Sequence, residues 1–166
     1  MFDDPELVRA AGFTGFRLVS ELRATKLAAV PKRMGVYMVL RTKTDPPKFR
    51  KQSPAGHFKR KDPTVSVATL RDNWVESTSV LYIGKAGAPD EEVTLRSRLA
   101  KYLAFGSGSK VSHWGGRLIW QLADSDELVV CWKPTANEVP AAAKQDLIDE
   151  FKASHSGRRP FANLLG

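Results

Sequence analysis

The chain has 166 residues, enough for one domain with a single buried core, and carries 26 basic against 18 acidic side chains, a formal net charge of +8. Its one cysteine, Cys131, excludes an intrachain disulfide and a cysteine metal cage, and no apolar run approaches the roughly 18 residues needed to cross a bilayer. The acidic start, Met1-Phe2-Asp3-Asp4-Pro5, lacks a signal-peptide pattern, so a reduced, cytoplasmic setting without a membrane partner is expected.

Asp4 before Pro5 and Glu6 has the form of a capped helix start. Phe16, Val19 and Leu22 recur at helical spacing and predict a second short helix from Gly15 to Thr25. Residues 1–33 are therefore expected to form a helical segment that packs on a domain of residues 34–166. Pro31 to Gly35 breaks the chain, and Val36 to Leu40 reads as a strand entered from a glycine.

A basic insertion follows, residues 42–78. Its first part, Thr42 to Pro63, carries Lys43, Lys48, Arg50, Lys51, Lys59, Arg60 and Lys61 against only Asp45 and Asp62, with four prolines. Phe49, His57 and Phe58 are interleaved among the cations. Such a loop suits a grip on a phosphate backbone, its aromatics either stacking on bases or tucked into the core. A cationic surplus of this kind favours a polyanionic partner, most simply nucleic acid, and no obligate protein partner is evident.

Val67, Leu70 and Trp74 predict a helix within Val65 to Val75. Val80 to Ile83 reads as a buried strand that ends at Gly84 and presents Lys85. Leu95, Leu99, Tyr102 and Leu103 share one face of a helix from Glu91 to Phe105. His113 to Arg117 is a turn in which His113 and Arg117 are candidate phosphate contacts, and Leu118 to Leu122 is a helix or a strand. Leu128 to Trp132 is a strand with Cys131 as a small core residue. Pro140 opens a last helix with Leu147, Ile148 and Phe151 inward, and Pro160 to Leu164 is an extended tail. The order describes an α+β fold with a small three-stranded, largely antiparallel sheet flanked by helices.

Gly35-Val36-Tyr37 and Tyr82-Ile83-Gly84 are followed by Lys85, by Leu95-Arg96-Ser97-Arg98 and by Pro160-Phe161-Ala162-Asn163. This ordered set resembles the anchors of the GIY-YIG nuclease superfamily, from Gly35 to the end of the chain. The resemblance implies a DNA-binding endonuclease that hydrolyses phosphodiesters with Mg2+ or another divalent cation. It implies that Tyr37 is a general base or a relay for the attacking water, and that Tyr82 positions a phosphate oxygen. Lys85 would assist that tyrosine, Arg98 would clamp the phosphate and Asn163 would brace the site. A tyrosine, with a pKa near 10, needs a neighbouring cation to act as a base, and an arginine fork suits charge building on phosphate oxygens. By periodicity alone Arg96 and Arg98 flank the inward helix face about equally; the family pattern selects Arg98.

The resemblance breaks at the metal. The family's metal-binding glutamate, three residues before a Leu-Ile pair, falls here on Lys144, before Leu147-Ile148. On a helix, position 144 lies within about 60° of Leu147, Ile148 and Phe151, whereas Asp146, Asp149 and Glu150 lie on the outer face. A charged ammonium does not ligate Mg2+, so the metal ligand is unassigned. His57, His113 and His155 are scattered and lack ligand spacing. The chain therefore reads as an endonuclease impaired at position 144, or as one using a displaced carboxylate such as Glu138, Glu76 or an acid of Asp124 to Glu127. The alternative is a non-catalytic nucleic-acid-binding module on a nuclease scaffold. A small basic structural or ribosome-associated protein would explain the charge but not the paired tyrosines.

Overall fold

A computed structural model describes every residue except 112, 137, 165 and 166. Helix α1 (Pro5–Ala10) begins as its sequence requires: the Asp4 carboxylate accepts the Glu6 N–H at 2.9 Å, and Pro5 sits in the first turn, where no donor is needed. The expected strands are β2 (Gly35–Leu40), β3 (Val80–Ala86) and β4 (Val129–Pro134). A fourth, β1 (Thr14–Leu18), corrects the expectation of three strands, and α2 is confined to Val19–Ala24. Residues 1–33 thus supply a strand to the sheet as well as helices.

The reason is local. Gly15 and Phe16 have φ of +93° and +47°, which no helix accepts, and the β1–β4 register shifts between Thr14 and Arg17. Phe16 packs against the cluster on one side of the sheet, which includes Met38 and Ile83, whereas Val19 and Leu22 join the cluster on the other. Their helical spacing is a coincidence of two elements.

The sheet order is β1-β4-β2-β3, with every neighbouring pair antiparallel. Alternation along β2 sends Tyr37 and Val39 to one face and Val36, Met38 and Leu40 to the other. The first face is covered by α4 (Leu95–Gly106), through Leu95, Leu99, Tyr102 and Leu103, and by a 3-10 turn at Arg117–Gln121. The second is covered by α5 (Pro140–Ser154), through Ala143, Ile148 and Phe151, and by Val8 of α1. Helices on both sides of one sheet bury both its faces, and β2 is buried at every position.

Two boundaries differ from expectation. Helix α4 starts at Leu95, where the Thr94 hydroxyl accepts the Ser97 N–H, rather than at Glu91. Strand β3 runs on through Gly84 and Lys85 to Ala86 because each pairs across to β2. Leu118 to Leu122 resolves as the 3-10 turn, and α3 spans Val67–Asn73. Cys131 is buried, and burial pushes its thiol up to about 12. Among the described residues no helix is long and apolar enough to cross a membrane.

Candidate functional site

At one end of β3 the fold brings together side chains that are far apart in the chain. Tyr82 and Lys85 come from β3, Arg98 from α4, Arg117 from the turn after Gly116, and Lys144 from α5. All line one cleft of ≈ 340 Å³ with Trp114 and Asn163. No carboxylate is among its described lining residues, and none of the four cations forms an ion pair with a described residue. Elsewhere the buried Arg41 donates to Asp124 at 2.8 Å and to Asp45 at 3.1 Å, and the partly buried Arg23 pairs with Asp126. A recess lined by one sign of charge focuses its field outward and concentrates anions.

Behind the cleft lie the tyrosines. Tyr37 is 0% exposed, with its ring edge-on to Tyr82 at 6.0 Å between centroids; Tyr102 stands 5.7 Å from Tyr82 and 6.2 Å from Tyr37. The Tyr37 hydroxyl has no hydrogen-bond partner among the described residues. Burial, and then the neighbouring Tyr82, hold its pKa well above the usual phenol value, with Arg98 opposing. Tyr82 is raised by burial as well, again against Arg98. Desolvation therefore outweighs the cations, and both phenols stay protonated at neutral pH.

Glycines make the room. A Cβ on Gly84 would overlap the Tyr37 ring, and one on Gly116 would stand 2.8 Å from the Tyr102 hydroxyl and 2.9 Å from the Tyr82 ring. Gly116 also has φ +72°, which favours glycine, and its carbonyl accepts the Tyr102 hydroxyl at 3.0 Å.

Asn163 holds β3 from outside. The Ile83 N–H donates to Asn163 Oδ1 at 2.8 Å, and Asn163 Nδ2 donates to the Ile83 carbonyl at 2.9 Å. One amide thus pairs with the residue between Tyr82 and Gly84. The choice between the two arginines of α4 is also plain. Arg96 donates to the carbonyls of Val30 at 2.7 Å and Ala28 at 2.9 Å, fastening that turn. Arg98 lines the cleft, with a buried Nε that has no partner among the described residues.

The basic loop stays outside. Lys48, Arg50, Lys51, Lys59, Arg60 and Lys61 are all exposed, and none lines the cleft. Phe49 belongs to the core, against Trp74 and Phe161, each 6.0 Å away. Phe58 instead lies 6.3 Å from Trp114. Phe58 and Lys61 exchange backbone hydrogen bonds of 3.2 and 2.9 Å, closing a tight hairpin whose central residues, Lys59 and Arg60, both have positive φ.

His113 is placed differently from expectation. It is 1% exposed, its ring 4.6 Å from Tyr102, and neither nitrogen has a hydrogen-bond partner among the described residues. Burial, and then Arg98, push its pKa down to about 3. It is a neutral packing group where the sequence suggested a phosphate contact. Sequence reasoning overlooked Trp114 as a cleft wall, although its neighbours in the His113-to-Arg117 turn were already singled out.

The donor set does not fit a divalent cation. Lys144 is half-buried in the cleft, its pKa lowered by burial and then by Lys85 and Arg98. The displaced carboxylates lie elsewhere: Glu76 lines a recess with Arg41, Glu138 lines a groove with Asp146 and Glu150, and Asp124 bonds Arg41. No group of three or more His, Cys, Asp or Glu among the described residues could hold a metal. Searches of protein-family models, curated proteins and solved structures find no match to the chain.

Proposed function

We propose that this protein binds nucleic acid, DNA in the first instance, by gripping phosphate in the cleft beside Tyr82, without metal-dependent hydrolysis. The carrying observation is the gathering of Lys85, Arg98, Arg117 and Lys144 with no carboxylate among the described lining residues. Four mutually repelling cations in a partly buried recess are stabilised by an anion that none of the described lining residues supplies. The resemblance to GIY-YIG nucleases supports a phosphodiester scaffold, and the ammonium at position 144 argues against its cleaving chemistry. In this reading Lys85, Arg98 and Lys144 hold phosphate oxygens, Tyr82 offers a protonated hydroxyl, and the loop from Lys48 to Lys61 meets phosphates outside the cleft.

The test is a DNA titration in EDTA over a range of salt, beside a plasmid-nicking assay with Mg2+. Binding should survive EDTA, and log K should fall with log salt with a slope of roughly −3 to −4 if four phosphates are neutralised. Arg98→Ala should weaken it, and the plasmid should stay supercoiled. Failure to bind at moderate salt would sink the reading. Nicking that needs Mg2+ and disappears in Tyr37→Phe would replace it with an active endonuclease.

A further inference from the structure

The cleft holds more positive charge than one bridging phosphate offsets. An internal phosphodiester brings about one negative charge, against the four cations of Lys85, Arg98, Arg117 and Lys144. A phosphate monoester brings about −1.5 to −2 at pH 7, with three acceptor oxygens. In nucleic acids that group occurs at a chain end, and it also occurs on a free nucleotide.

The walls of the cleft fit what a monoester is attached to. Trp114 lines the same recess, and the Arg117 guanidinium lies 4.6 Å from its ring centroid. A flat aromatic face backed by a cation is a surface on which a base stacks regardless of sequence. Phe58 stands next to Trp114 and opens the exposed hairpin tip of Lys59, Arg60 and Lys61. Exposed positive charge therefore adjoins the aromatic pair on the hairpin that Phe58 opens.

We propose that the cleft binds the terminal phosphate monoester of a single-stranded nucleic acid, with the last base on Trp114 and the preceding phosphates passing Phe58 toward Lys59 to Lys61. This rests on the nucleic-acid reading above and adds which phosphate is held. Lys144 becomes the specificity residue, since its charge is what a monoester uses and a diester leaves unmatched.

The probes are three internally labelled single strands of one sequence, carrying a 5′-phosphate, a 3′-phosphate or hydroxyls at both ends, titrated in EDTA by fluorescence anisotropy. One phosphorylated strand should bind about tenfold or more tighter than the hydroxyl strand, as an added charge in a partly desolvated site requires. Lys144→Gln and Arg117→Gln should each remove most of that advantage, with circular dichroism reporting that both variants are folded. A nucleoside monophosphate serves as competitor. Displacement only at large excess assigns the site to a chain end, as proposed; displacement at concentrations comparable to the strand assigns the monoester to a free nucleotide and overturns end recognition. Equal affinity for all three strands, or an advantage undiminished in both variants, overturns the proposal and leaves nucleic-acid binding standing. Binding of no strand overturns both.

Discussion

Replacing His113 by phenylalanine should flatten the acid side of the stability profile. The folded protein holds this imidazole at about 3, well below the ordinary value of about 6.5 that it regains on unfolding. The unfolded chain therefore takes up a proton that the native one refuses, and stability is lost as pH falls below about 6.5. Each pH unit is worth about 1.4 kcal/mol once the unfolded imidazole is fully charged, so this one group removes about 2 kcal/mol between pH 6.5 and pH 4.5. That window lies above the folded value, so the slope is set by the unfolded state. Because the ring packs on Tyr102 with neither nitrogen bonded to a described residue, His113→Phe should be close to neutral at pH 7. Urea unfolding of both proteins at several pH values gives the difference directly; carboxylates and the other histidines are common to both and cancel. Parallel profiles for the two proteins would refute a buried, neutral His113.

Gly84→Ala should destabilise by about 1–3 kcal/mol or more, because the new methyl group overlaps the buried Tyr37 ring; a midpoint in urea equal to that of the parent would contradict it. Asn163→Ala strips partners from both the N–H and the carbonyl of Ile83, for a loss of about 2–3 kcal/mol in thermal or urea unfolding. Tyr37→Phe deletes a hydroxyl that has no partner among the described residues, so stability should hold or rise by up to about 1 kcal/mol. A substantial loss in calorimetry would mean that this hydroxyl is satisfied in solution.

The parts of the fold legible in the sequence are those with uniform surroundings. Strand β2 is buried at all six positions, so its run of apolar residues carries its own signal, and α5 keeps its inward side chains on one helical face. Strand β1 was illegible because it is an edge strand with a bulge, and because its Phe16 and the next helix's Val19 and Leu22 serve opposite faces of the sheet. A periodicity count treats them as one element. In the cleft, the family pattern marked the positions of Tyr82, Lys85, Arg98, Asn163 and Lys144, which the structure brings together. It did not mark Trp114, nor that His113, beside it, turns into the core. A one-residue change of direction within a glycine-rich turn leaves no periodic trace.

The pairing of residues 162 and 163 with β3 also bears on how the protein keeps to itself. Strand β3 ends the sheet, and its outward backbone groups would otherwise be a template for another chain. The Ala162 N–H donates to the Leu81 carbonyl at 2.9 Å, and the Asn163 amide takes both groups of Ile83. A side-chain amide here imitates a neighbouring strand without being one, and offers no further edge in its turn. Removing the chain from Pro160 onward would uncover a row of unpaired donors and acceptors beside an apolar strand. It would also take the buried Phe161 out of the core, so self-association through β3 should come together with a loss of stability.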